Sequence, residues 1–232
     1  MLIISRLLRL ERRESSTIMR VRKKLLIWPS LILTMAGTDS LQAMTFELSP
    51  MGSLNKIEVE LNSPKSGKGV SFSPHGIKGG FSKVSGKIEF FVANPSMTKL
   101  NMLLDARNLR FGYHRVDTDA QKADWLNSVK HPKISFELES LQNPEWKQNS
   151  LVAQAHGSLL FKGRKLRISL PVKIRYFRGE RKKYDGRLGD LLMITGQQTL
   201  TREILGINPG TMLDQILNQN LNIVKYLVVM IQ

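Results

Sequence analysis

The chain has no cysteine, which excludes disulfides, thiol nucleophiles and thiolate metal sites together. Aromatic residues make up only 7% of 232 positions, and 19 acidic residues face 35 lysines and arginines. So few aromatics argue against a nucleic-acid surface, which needs stacking groups beside its positive charge. Four histidines, His75, His114, His131 and His156, are 39, 17 and 25 residues apart. None forms the short i,i+2 or i,i+4 pairs of a metal-ligand motif, so they read as structural or surface residues and no metal is expected. There is no G-x-S-x-G elbow. The glycines of Gly76-Ile77-Lys78-Gly79-Gly80 match neither phosphate-binding pattern and read as a bend between strands. The sequence thus offers no catalytic cluster and no cofactor motif, and a non-enzyme is expected.

What is present is positive charge and a large apolar fraction. The formal charge is +16 and 41% of residues are hydrophobic, enough for one sizeable core. Residues 1–43 hold eight basic and three acidic residues; the remainder keeps 27 basic against 16 acidic, or +11. Such a body favours anionic surfaces. The N-terminus orders a basic cluster (Met19 to Lys24), an apolar stretch (Leu25 to Gly37) and a more polar segment ending Ser40-Leu41-Gln42-Ala43. That is the layout of a secretory signal. The apolar stretch falls short of the roughly 20 residues that span a bilayer. Residues 1–43 are therefore expected to export a body, residues 44–232, to the periplasm, with Met19 as an alternative start and an uncleaved anchor as the competing reading. Leu41 is larger than the small residue preferred three positions before a cut after Ala43.

From about residue 54 the dominant signal is period-two alternation, the mark of half-buried strands. Leu166, Ile168, Leu170, Val172, Ile174 and Tyr176 share one face, opposite Arg167, Ser169, Lys173 and Arg175. Leu151–Phe161, 134–138, 84–92 and 100–106 alternate in the same way, and further strands are expected near 55–61, 68–73, 190–201 and 220–231. Turns are expected at Asn94-Pro95-Ser96, Asn143-Pro144 and Asp185-Gly186, with a tight hairpin at Lys162-Gly163. Helices are expected over Thr118–Ser128, capped by Thr118 or Asp119, and over Asn208–Asn218. About eight antiparallel strands with one apolar face each make a sandwich or a closed barrel. The cationic outward face of residues 167–175 excludes the lipid-facing wall of an outer-membrane barrel.

Four ordered stretches carry a family resemblance. They are Val70-Ser71-Phe72 with His75-Gly76-Ile77 and Phe81–Gly86; Trp125-Leu126 with His131–Phe136; Ala155–Leu159 through Gly163 to Leu170-Pro171-Val172; and Thr201-Arg202 with Leu205-Gly206-Ile207. Together they resemble the YceI-like family over residues 56–231, with Ile204-Leu205 standing where the family has Asp-Phe. The resemblance implies an all-β, antiparallel, eight-stranded lipocalin-like barrel with one or two short helices. It also implies that the interior sequesters or carries an isoprenoid lipid or isoprenoid quinone. Phe72, Ile77, Phe81, Ile88, Phe90, Phe136, Leu159, Phe161 and Leu170 would then line an apolar channel. The basic run Arg178, Arg181, Lys182, Lys183 and Arg187 reads as a solvated loop or as a contact for an anionic membrane surface. A packed β-sandwich adaptor without a ligand stays as the alternative, and a homodimer is left open.

Overall fold

The computed structural model describes residues 42–48, 55–61, 77–207 and 220–232. Eleven strands are present: β1 (Met44–Leu48), β2 (Lys56–Leu61), β3 (Ile77–Phe81), β4 (Val84–Phe90), β5 (Lys99–Asp105), β6 (Leu109–Arg110), β7 (Lys133–Lys147), β8 (Ser150–Phe161), β9 (Arg164–Phe177), β10 (Leu191–Thr201) and β11 (Asn220–Ile231); all but β1, β3 and β6 follow the alternating segments. All pairings are antiparallel. β1 pairs with β4 and β2 with β3, while β5 pairs with β4 and β6 with β3. The first six strands are thus three long staves, each broken once. The three staves and five continuous strands close as an eight-stranded barrel when β1 meets β11. Closure leaves fewer edges to shield and encloses an interior about one side chain or one small ligand wide.

Local chemistry explains most boundaries. Lys162 and Gly163 both take positive φ, 49° and 73°, as the two-residue hairpin between β8 and β9 requires. The prolines and asparagines behave less uniformly. Pro95 opens a single 3-10 turn between β4 and β5 as expected, but Asn143-Pro144 is not a turn. It is an irregularity within β7, where Asn143 has φ of 49° and the pairing with β8 shifts between Gln142 and Glu145. Proline donates no N–H, so a strand keeps it only at a bulge or an edge. The chain reverses instead after Lys147, which pairs with Ser150.

The helix in the middle of the chain also lies earlier than expected. It is α1, His114–Gln121, followed by turns to residue 130. Thr118 does not cap it, because its hydroxyl donates to the His114 carbonyl one turn back (2.8 Å). The Asp117 carboxylate accepts from the Phe111 amide and so fixes the chain entering α1. Two further short helices are α2 (Arg181–Asp185), closed by Gly186 at φ 81°, and α3 (Arg202–Leu205), capped by the Thr201 hydroxyl. The strand expected at 68–73 and the helix expected at Asn208–Asn218 lie outside the described residues.

Gly79 and Gly80 lie inside β3 rather than in a bend. The reason is a close approach: a Cβ on Gly79 would sit 2.5 to 2.9 Å from the Phe111 ring, whereas one on Gly80 meets only the Ile57 carbonyl at 3.5 Å. Gly79→Ala is therefore expected to lower stability by about 1–3 kcal/mol, the usual cost of overpacking. Gly80→Ala should leave the denaturation midpoint close to wild type. Equal midpoints for the two variants would contradict this packing.

Candidate functional site

The inward faces of the strands do not fill the barrel evenly. At one end Phe46, Ile88, Phe90, Leu151, Ile174, Leu192 and Met230 are each exposed by 2% or less and pack as a solid core. The register puts them together: Phe46 faces Ile88, Leu151 faces Ile174, and Met230 faces both Leu48 and Leu192. Tyr176 closes this end edge-on to Phe46, with ring centroids 6.2 Å apart. Its hydroxyl donates to the Asp190 carboxylate, whose other oxygen accepts the Gly179 amide at 2.7 Å. Burial first, and that carboxylate second, push the Tyr176 hydroxyl up to about 12.

Toward the other end the same strands enclose a cavity of about 160 Å³. Its walls are Ile57, Val59 and Leu61 of β2, Leu100, Met102 and Leu104 of β5, Ile134 and Phe136 of β7, and Ala155, Leu159 and Phe161 of β8. Ile168, Leu170 and Val172 of β9, Ile194 and Leu200 of β10, and Tyr226 of β11 complete the ring. No polar atom contributes to the cavity surface. Such a surface offers water no hydrogen-bond partner.

A cap of four residues lies over the cavity at this end. Trp125 and Leu126, from the turns after α1, and Leu205 and Ile207, around α3, sit over the space. Their backbones are held by the hairpin between β8 and β9, because the Lys162 ammonium donates to the Gly206 carbonyl (2.8 Å) and the Ala123 carbonyl (3.2 Å). Burial pushes this ammonium below its ordinary value, and Asp124 opposes that shift.

Of the residues expected to line a channel, Phe81, Phe136, Leu159, Phe161 and Leu170 line the cavity. Ile88 and Phe90 belong to the packed end, and Ile77 is buried opposite Leu61 but off the lining. Phe72 lies outside the described residues. Sequence reasoning missed Tyr226 and the four cap residues. Trp125-Leu126 and Leu205-Gly206-Ile207 were visible as motifs, but nothing in their spacing showed that two remote loops meet over one opening.

The polar candidates are dispersed. Among the described residues no three acidic or histidine side chains come together to hold a metal. His156 is on the outer face, 3.2 Å from the Ser169 hydroxyl. The basic run is partly tied down: the Arg181 guanidinium holds Asp185 at 3.1 Å and the Gln232 carbonyl, and Lys183 pairs with Glu180 at 2.6 Å. Arg178, Lys182 and Arg187 remain exposed.

Comparison with known proteins places this geometry. A family model described as a YceI-like domain matches residues 54–223. Among solved structures, BcnA of Burkholderia cenocepacia superposes with a TM-score of 0.59 at 17% identity, covering 78% of this chain and 98% of that one. The YCEI protein of Campylobacter jejuni gives 0.58 at 18%, over 73% and 91%. At such identity the likeness establishes a shared fold. A polyisoprenoid binding domain from Saccharophagus degradans overlaps more loosely, with a TM-score of 0.49 at 9% identity over 81% of this chain and 93% of its own, too distant to bear on ligand. No curated protein matches the sequence.

The Tyr176 shift sets a pH dependence. The folded state holds this phenolic proton more tightly than the unfolded chain, whose tyrosines titrate near 10. Its contribution is complete below about pH 10 and lost as the pH rises from there through about 12. The melting temperature should fall over this window in wild type and less steeply in Tyr176→Phe. Identical slopes would show that the group does not titrate as placed.

Proposed function

This chain belongs to the YceI-like family, and we propose that it binds the isoprenoid chain of a lipid or quinone inside its barrel, without a covalent step. The observation that carries the reading is the barrel cavity, whose surface has no polar atom. Such a surface offers no hydrogen bond to a polar substrate, so only an apolar chain gains by leaving water for it. Each buried methylene contributes about 0.8 kcal/mol, before the costs of immobilising the chain. Specificity would then come from the width of the tube, with the polar head group left outside.

Two further parts of the reading come from the sequence. The segment from Met19 to Ala43 is proposed to direct export to the periplasm. The +11 charge of residues 44–232 is proposed to favour anionic lipid surfaces, with Arg178, Lys182 and Arg187 among the exposed cations. Both suit a carrier that must meet its lipid at a membrane.

Filling the cavity tests the binding reading. Ala155 is buried on β8 and lines the space, while its neighbour Gln154 is exposed on the outer face. Ala155→Phe should weaken binding of a dansyl-farnesyl probe by about tenfold, the equivalent of two displaced methylenes. Gln154→Phe adds the same ring outside and should leave the affinity unchanged. Wild-type affinity in a folded Ala155→Phe variant would contradict binding in this cavity.

A further inference from the structure

The cavity has to be reached from outside, and described residues lie across both ends of it. One end is the solid core around Phe46, Phe90 and Leu192. The other is the cap held by the Lys162 ammonium. A further route lies through the wall.

The wall has a long break in its backbone pairing between β9 and β10. β8 pairs with β9 from Ser150–Arg175 to Phe161–Arg164, and β10 pairs with β11 from Leu191–Ile231 to Thr201–Asn220. Between them, β9 and β10 pair only from Phe177–Leu191 to Lys173–Thr195. Arg164–Val172 of β9 and Gly196–Thr201 of β10 have no ladder between them. Pro171 accounts for where the ladder stops, since it has no N–H to donate across. Its carbonyl, which a backbone amide of β10 would otherwise take, accepts the Tyr226 hydroxyl instead. That hydroxyl reaches Pro171 over Gly196, where a Cβ would collide with both the Pro171 carbonyl and the Tyr226 ring.

The lips of the break are apolar and only partly covered: Leu166, Ile168 and Leu170 on β9 and Leu200 on β10 belong to the inward set and are half-buried, as are Val59, Met102 and Leu159 elsewhere on the lining.

Resting on the lipid-binding reading above, we propose that the β9–β10 seam is a lateral mouth through which a prenyl chain enters the cavity, latched by the Tyr226 hydroxyl on the Pro171 carbonyl. Widening this stretch of wall breaks no ladder bond, only the latch. The apolar side chains on both lips hand the chain inward while its head group stays in water. The 160 Å³ enclosed space holds the first part of a chain, and the rest runs out along the seam.

The test staples the seam in the full chain, which has no cysteine to interfere. Extended past its last pair, Lys173–Thr195, the register would bring Ser169 level with Thr199, both outside the cavity lining. In Ser169→Cys/Thr199→Cys, oxidation is expected to slow uptake and release of the dansyl-farnesyl probe by an order of magnitude, as gating closures do. Reduction should restore the wild-type rates. Tyr226→Phe, which needs no disulfide, should speed both by about fivefold, the rate equivalent of one hydrogen bond. Rates insensitive to the staple, or to Tyr226→Phe, with binding retained would overturn the lateral mouth alone. Failure of the wild-type chain to bind the probe at all would overturn the lipid reading and the mouth with it.

Discussion

The barrel closes at β11, which is paired on both sides. β11 runs the length of β10 on one edge, while its other edge is shared end to end by β1 and β2. Between those two partners the edge would carry an orphan donor, and the buried Asn55 side chain supplies the acceptor, its Oδ1 taking the Val229 amide at 2.8 Å. A buried amide left without a partner costs about 1–3 kcal/mol. The asparagine therefore lets the first stave break without opening the barrel. If β11 lost either partner, the wall would become an open sheet with two edges, and no enclosed carbon surface would remain.

Closure alone does not make a binding site, since eight strands can as easily close on a filled interior. Here the two outcomes share the same strands. β9 places Ile174 in the packed core and Leu170 and Ile168 in the cavity wall, and β10 divides in the same way between Leu192 and Leu200. The packed end supplies rigidity through apolar burial, and the hollow end forgoes some of it. Protein interiors are otherwise close-packed, so a void of this size with no polar atom on its surface is a cost that binding a hydrocarbon can recover. Function then follows from where the packing stops.

Much of this was legible in the residues. Alternation located eight of the eleven described strands and which side of each faces inward, because a half-buried strand has to repeat every two residues; β1, β3 and β6 are too short or too glycine-rich to show it. The four ordered motifs gave the barrel and its family. What the sequence could not convey was depth along the barrel axis. Ile88 and Phe90 have the same alternation as Phe136, but whether an inward residue meets a partner or a void depends on the register of strands far apart in the chain. The same limit hid Tyr226, whose role depends on Gly196 and Pro171 lying beside it. Asn143-Pro144 failed for a different reason: turn chemistry and bulge chemistry use the same residues, and only pairing on both sides distinguishes them.

The most direct measurement is organic extraction of the protein purified from its own cells, followed by mass spectrometry of the extract. The account predicts a stoichiometric prenyl lipid or prenyl quinone, lost together with the cavity in Ala155→Phe. A protein that is folded, empty, and unable to take up added isoprenoids would contradict it, and would leave the barrel as a packed scaffold whose hollow end holds nothing.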